Sequence, residues 1–425
     1  LLDADTRNSY SAIKRLAVKY LLSVNRAKAP GYPLNLLYTT NEQAIDADYD
    51  LILGSVIARV HLWLSDDWDY EDHRDDPMWF ILNGIIDPSS VFIKDEPHPL
   101  RKLKEGRFRC ITPVSLVGQV VEAILTQEMA DSTKESLYDC GSAIGIGFTD
   151  HQNREFRDFM YRKLDEFDDD ATMTSSDVKG FDALHDEVSF AAVHHYEQLA
   201  WLANSVWWRA QKRWYLLMSK SVVFVDGVLY TKTIRGTLDS GSRKTSLENT
   251  TLRLIYEFYI RNRMPPTPIF VVAAGDDSIS VGKTAPGEYE RVALGLNITL
   301  RDVTTSRDSV EFCSHRYNRG NDLFPLTSWP KSVYRMLSKA VLDPLDVRQA
   351  LNEMRHNVGL YTRLSMWVER IAPLTTENVD TDECSPLLQS DRSAFVTGSL
   401  PDLGVRVLRR GKTMRTVTAS AVASD

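Results

Sequence analysis

The stretch Ile269-Phe270-Val271-Val272-Ala273-Ala274-Gly275-Asp276-Asp277-Ser278-Ile279-Ser280-Val281 decides the fold of this chain. Two short apolar, β-branched runs flank Gly-Asp-Asp, which reads as a buried hairpin with its acids at the tip. Taken alone, Gly275-Asp276-Asp277 is equally an ordinary turn, because glycine and aspartate favour turns. Two adjacent acids at the end of a rigid hairpin, however, repel each other unless a cation neutralises them.

A second acidic segment lies upstream. Thr172-Met173-Thr174-Ser175-Ser176-Asp177 reads as a strand ending on a carboxylate, and Gly180 breaks it. Asp182 follows five residues after Asp177 and, read blandly, caps the long helical stretch expected to reach Met218. Read together, Asp177 and Asp276 supply hard oxygen ligands from two separate backbone segments, with Asp277 assisting. That is what a two-ion phosphoryl-transfer centre requires.

Ser240-Gly241-Ser242-Arg243-Lys244-Thr245-Ser246-Leu247-Glu248-Asn249 comes next. Ser240 or Ser242 reads as a helix cap, and Gly241 as a residue that leaves the loop free to flex. Thr245 and Asn249 are four apart and share a helix face. With Asp182, Asn249 would form a pair able to bind a ribose 2′-hydroxyl, the group that separates RNA from DNA.

The segment from Lys94 to Arg109 carries six basic residues against three acids. It reads either as a solvated charged loop or as an arm for triphosphate. Arg107 and Arg109 share one side of an extended strand and are suited to forked phosphate binding. Lys94 and Lys102 are weaker candidates. This local charge offsets the formal net charge of −8, which argues against a basic surface as a whole.

The composition is that of a globular protein, with 43% hydrophobic and 25% charged residues. No apolar run is long enough to predict a membrane span, and Leu1 to Asp5 has no signal-peptide pattern. Cys110, Cys140, Cys313 and Cys384 show no CxxC spacing, so free thiols in a reducing compartment are expected.

The order basic arm, Asp-x4-Asp, Ser-Gly-x3-Thr-x3-Asn and Gly-Asp-Asp resembles the viral RNA-dependent RNA polymerases. Lys94-Asp95-Glu96-Pro97-His98, Gly106-Arg107-Phe108-Arg109, Phe312-Cys313-Ser314-His315 and Trp329-Pro330-Lys331 are similar to the sobemovirus, polerovirus and barnavirus group. The resemblance implies an α+β right-hand fold with fingers, an antiparallel palm and a mostly helical thumb. The expected divisions are an N-terminal and fingers region at 1–165 (with the arm at 91–111) and a first palm part at 166–183. A fingers insertion and palm helix at 184–239, palm at 240–317, thumb at 318–411 and a flexible tail at 412–425 complete them.

It further implies RNA synthesis from nucleoside triphosphates on an RNA template, with Mg2+, or Mn2+ as an alternative. A primer or nascent RNA, a genome-linked protein as candidate primer, and replication complexes in the host cytoplasm are the implied partners and setting. Asp177, Asp276 and Asp277 would hold metal. Asp182, Ser240, Gly241, Thr245 and Asn249, with the arm, would hold nucleotide. Ala29-Pro30-Gly31-Tyr32-Pro33 is similar to the template-entry loop, and Phe312 to His315 to the primer grip. One departure stands out: no lysine occurs from Thr284 to His315, where many members carry a proton donor, leaving Arg301 and Arg307.

Three rivals compete. A reverse transcriptase usually places a bulky aromatic where Asp182 sits. A degenerate, non-catalytic palm would have lost a metal ligand. A metal-dependent phosphatase would not need Ser240 to Asn249 or the arm.

Overall fold

The structure is a computed structural model. It describes residues 10–371 apart from 95, 97, 99, 107, 202, 204, 220–221, 232–239 and 339–343; at 182, 183, 219, 335, 336, 338, 344–346, 348 and 369–371 it describes the backbone only. The flexible tail expected at 412–425 therefore lies outside the described residues, as do Arg107 and Cys384. The chain divides into two compact units, the first being 1–93, 110–147 and 162–307, the second 94–109, 148–161 and 308–425.

The first unit holds strands β1 (Ser89–Ser90), β2 (Phe92–Ile93), β3 (Cys110–Ile111), β4 (Thr172–Val178), β5 (Val222–Val225), β6 (Val228–Thr231), β7 (Ile269–Ala274), β8 (Asp277–Gly282) and β9 (Leu300–Ser306). Its main sheet has the order β7-β8-β4-β9, and every pairing in it is antiparallel. Ala274 pairs with Asp277, so the hairpin turns on two residues, Gly275 and Asp276, and Asp277 already begins β8. Gly275 has φ of +65°, a conformation open to glycine at little cost. On β4, Ser175 Oγ is met across the sheet by Thr304 Oγ1 at 2.8 Å, while the buried Thr174 Oγ1 has no hydrogen-bond partner. A second hairpin, β5–β6, turns on Asp226-Gly227, both turn residues having positive φ, as the Asp-Gly pair favours.

The Thr245–Arg261 helix packs on β7 and β8. Outside its sheets the unit is largely helical. Tyr10–Leu22, Asn41–Leu64, Leu116–Glu135 and Ser205–Ser219 share one apolar core through Ile13, Ala17, Val56, Val60, Val120 and Trp214. Their starts follow from capping: Thr40 Oγ1 accepts from Gln43 N–H and Ser115 Oγ from Gly118 N–H.

The helical stretch expected from Asp182 to Met218 is three helices. Phe181–Leu184 starts at Gly180, whose φ is +66°, so Asp182 is inside a helix and does not cap one. The cap is Asp186, whose carboxylate accepts from Ser189 N–H at 2.8 Å and opens Glu187–Ala200. A single apolar periodicity masked the break because all three pieces feed the same core.

The second unit contains the hairpin β10 (Ser309–Phe312) and β11 (His315–Asn318) and the helices Trp329–Ser338, Pro344–Glu353 and Val358–Ile371. Val333, Leu337, Val347, Leu351, Met354 and Leu364 form the helices' own core. Phe156 stacks on Phe312 with ring centroids 5.0 Å apart. No helix among the described residues is long and apolar enough to cross a membrane.

Candidate active site

Asp177 is the penultimate residue of β4, and the β4–β9 register shifts between Ser175 and Asp177. Such an irregularity re-aims the side chain that follows it. The Asp177 carboxylate is split in function. Its Oδ2 accepts from Arg301 Nη2 at 2.8 Å, while its Oδ1 is buried with no hydrogen-bond partner. Burial pushes this carboxyl above the ordinary range; Arg301 pulls it down, and the charges of Asp276 and Asp302 push it up again. The two expected acids thus feel one another across neighbouring strands.

The turn bearing Asp276 is fastened from below by the Thr245–Arg261 helix. Gly275 N–H donates to Thr250 Oγ1 at 2.7 Å, and Arg253 Nε donates to the Asp276 carbonyl at 3.1 Å. The same guanidinium donates through Nη2 to Ser176 Oγ at 2.5 Å.

A divalent cation fits this chemistry. An orphaned, buried carboxylate oxygen lies next to a second acid, and all the donors are hard. No group of three or more His, Cys, Asp and Glu among the described residues forms a ready cage. Asp177 and Asp276 would be the residues to hold Mg2+, which takes one or two carboxylates and completes its octahedron with water and substrate phosphates.

The Ser240-Gly241 loop is clamped, contrary to the expectation that Gly241 leaves it free. Gly241 N–H donates to the Thr112 carbonyl at 3.0 Å. Thr112 N–H donates to Ser240 Oγ at 3.1 Å, and Ser240 N–H to Thr112 Oγ1 at 3.1 Å. A β-carbon on Gly241 would come within 2.6 Å of Pro113 Cα. The glycine is there for close backbone approach. Deeper down, Glu122 accepts from Ser242 Oγ at 2.6 Å and from Lys244 N–H at 2.8 Å. Burial raises the Glu122 carboxyl, and those bonds oppose it. Lys244 caps the following helix by position, without a side-chain bond.

Asn249 is buried on that helix, its Oδ1 3.0 Å from His185 Nε2. The expected partner Asp182 lies four residues after β4, its side chain outside what is described. Thr245 Oγ1 donates to the Ser242 carbonyl at 2.9 Å.

The basic arm is organised within the second unit. Lys94 N–H donates to the Arg109 carbonyl at 2.8 Å, and Lys102 sits in a short helix, Leu100–Lys104. The arm is thus only partly extended. Burial raises the Glu96 carboxyl, but the charges of Lys94, Arg109 and Lys331 outweigh it and hold the group below its ordinary range. Of the two arginines left as proton-donor candidates, Arg301 is engaged by Asp177, while Arg307 donates to three carbonyls, those of Asp168, Asp169 and Ala171.

Sequence reading missed Thr112, Glu122, His185 and Arg253. Their partners lie 23 to 128 residues away. Only the run Thr250, Arg253, Glu257, Arg261, polar at helical spacing on a buried helix, carried a usable signal.

Residues 198–329 match the family described as viral RNA-directed RNA-polymerase, a span that includes the Ser240 loop and the Gly-Asp-Asp turn. The chain is 31% identical over 369 residues to the replicase polyprotein P2AB of Southern cowpea mosaic virus, an alignment covering 84% of this chain and 37% of that protein. It is 27% identical over 327 residues to the RNA-directed RNA polymerase of Mushroom bacilliform virus, covering 74% of this chain and 75% of that one. The chain spans about a third of the length of the P2AB polyproteins that it matches. The Sicinivirus 3Dpol RNA dependent RNA polymerase shares the fold, with a TM-score of 0.59 at 12% identity over 85% of this chain and 80% of that one. By fold and by sequence the chain groups with the viral RNA-directed RNA polymerases, and its relatives are those of the sobemo-, polero- and barnaviruses.

Proposed function

We propose that the chain catalyses template-directed RNA synthesis for viral genome replication and transcription, joining nucleoside triphosphates to an RNA 3′-hydroxyl. The observation that carries this reading is the pairing of Asp177, with its orphaned buried Oδ1, and Asp276 on a turn fixed by Thr250 and Arg253. Asp177 and Asp276, assisted by Asp277, hold two Mg2+ ions, with Mn2+ as an alternative. When bound, such ions stabilise the attacking and leaving oxygens of an in-line displacement.

The chain's own residues do the positioning. The clamped Ser240-Gly241 loop, Thr245 and Asn249 present the ribose side, with Asp182 as a further hydroxyl partner. Lys94, Lys102, Arg107 and Arg109 neutralise triphosphate charge. The unit holding the four-stranded sheet supplies palm and fingers, and the helices after Trp329 supply the thumb. RNA template, primer or nascent strand, and a genome-linked protein as candidate primer are the partners, within replication complexes of the host cytoplasm.

The direct test is RNA synthesis by the purified chain on a short RNA template, with and without primer. Asp276→Asn is expected to lower nucleotide incorporation by about 10³-fold or more, as loss of a dominant electrostatic element does, while melting is little changed. Full activity in that variant would sink the metal-centre assignment. Asn249→Ala is expected to weaken the preference for ribonucleotides over deoxyribonucleotides by about fivefold, the worth of a hydrogen bond of roughly 1 kcal/mol. An unchanged ratio removes Asn249 from ribose reading.

A further inference from the structure

The Thr245–Arg261 helix carries a buried ionic ladder that the proposed chemistry does not use. Arg253 is fully buried. It donates to Ser176 Oγ at 2.5 Å, to the Asp276 carbonyl at 3.1 Å and to Glu257 Oε2 at 3.3 Å. Glu257 also receives Arg261 Nε at 2.9 Å and the hydroxyl of Tyr289. Arg261 goes on to Ser280 Oγ at 2.6 Å and to Thr284 Oγ1 at 2.8 Å.

Two observations set Arg253 apart from an ordinary structural arginine. Its fork spans two backbone segments at the points where the candidate metal ligands leave them: Ser176 directly precedes Asp177, and the second contact is the carbonyl of Asp276 itself. The charge balance is also uneven. Arg253 and Arg261 face the single carboxylate of Glu257, which leaves one buried positive charge beneath a turn bearing Asp276 and Asp277. Apolar residues of similar volume are often at least as stabilising as a buried ion pair, so stability alone is a weak reason for this one. A planar guanidinium can hold three partners in fixed directions, which an ammonium cannot.

We infer that Arg253 is a positioning residue for the catalytic centre: it fixes the Asp177 and Asp276 backbones relative to one another and offsets their mutual repulsion. This rests on the metal-centre reading above. Groups that orient metal ligands typically change affinity or activity by about 10- to 100-fold when altered.

The test uses Mn2+ alone, titrated into the full chain without RNA or nucleotide and followed by the loss of the free-ion paramagnetic resonance signal. Melting temperature is recorded beside it. Arg253→Lys keeps the charge and loses the fork. It is expected to weaken Mn2+ binding about tenfold and to lower kcat for primer extension, with KM for nucleotide little changed. Ser176→Ala removes one of the contacts of Arg253, together with the 3.3 Å contact to the Tyr289 hydroxyl, and leaves the charge; a smaller weakening in the same direction is expected. Wild-type Mn2+ affinity and kcat in a folded Arg253→Lys, with only melting lowered, would make Arg253 purely structural and overturn the inference. Should Arg253→Lys fail to fold, Ser176→Ala decides alone, and wild-type Mn2+ binding there is the overturning result. Asp276→Asn separates the two levels. If it binds Mn2+ as the wild type does, the metal-centre reading falls and the role of Arg253 falls with it. If it loses binding while both other variants keep it, only the role of Arg253 falls.

Discussion

The β7–β8 hairpin turns through Gly275 and Asp276, with φ of +65° at the glycine. The β10–β11 hairpin turns through Cys313 and Ser314, with φ of +47° and +63°. Both close on two residues, but the second does so without glycine, at a cost of about 1–2 kcal/mol for each left-handed residue. The first is held by charge from beneath, through Arg253, Glu257 and Arg261. The second is held by neutral contacts: Thr327 N–H donates to the Ser314 carbonyl at 2.8 Å, and Phe148 stacks on His315 at 4.7 Å. One turn is conformationally relaxed and electrostatically anchored; the other is strained and held by its packing. A relaxed turn keeps Asp276 in place without backbone strain opposing its anchor, whereas the strain in the second must be outweighed by what surrounds it.

Breaking the charged anchor gives the largest effect. Glu257→Ala removes the one carboxylate shared by two buried arginines and is expected to cost about 3–5 kcal/mol, read as a lowered denaturant midpoint. A loss below about 1 kcal/mol, the scale of an exposed pair, would mean that water reaches the ladder and that the first hairpin is not anchored by buried charge. Next comes the glycine. No atom lies within 4 Å of a β-carbon built on Gly275, so Gly275→Ala meets no clash and pays only for its φ, about 1–2 kcal/mol. Primer extension is expected to fall further than stability does, because any relief of that strain moves Asp276. Equal losses would show that the turn tolerates alanine without shifting the carboxylate.

The two hairpins also differ in how readable they were. Short apolar, β-branched runs about a Gly-Asp turn make β7–β8 legible from residues 269–281, and the strand ending at Asp177 is legible from its own local pattern. Cys313-Ser314 carries no turn chemistry, so only the family resemblance marked that segment. The limits at the site have the same origin. Asp177, Asp276 and Asn249 could be picked out because local pattern places each on a strand end, a turn or a helix face. Thr112 and Glu122 act on backbone far along the chain, and nothing local signals it; Arg253 shows locally only as one member of a polar run at helical spacing, which does not reveal its reach to Asp276. Gly241 reads in the sequence as a residue that frees its loop, whereas its lack of a β-carbon serves contact with Thr112-Pro113, which only the folded chain brings beside it. Asp182 was misplaced as a cap because its neighbour Gly180 and the true cap Asp186 share one turn-prone segment.

The smallest effect has the opposite sign. Ser314→Gly removes the β-carbon at φ of +63° and should recover about 1–2 kcal/mol of left-handed strain. Glycine also frees the unfolded chain, which takes back about 0.4–1 kcal/mol. The carbonyl that receives Thr327 is backbone and survives the change. The net expectation is a gain of about 0.5 kcal/mol, seen as a slightly higher denaturant midpoint for the second unit. If stability falls instead, the serine side chain must supply more than the strain costs, and the contrast between a relaxed and a strained turn would shrink to a difference in side-chain bonding. If the gain appears while primer extension drops, the strain itself belongs to the hairpin's work, because a looser turn would then be more stable and less competent.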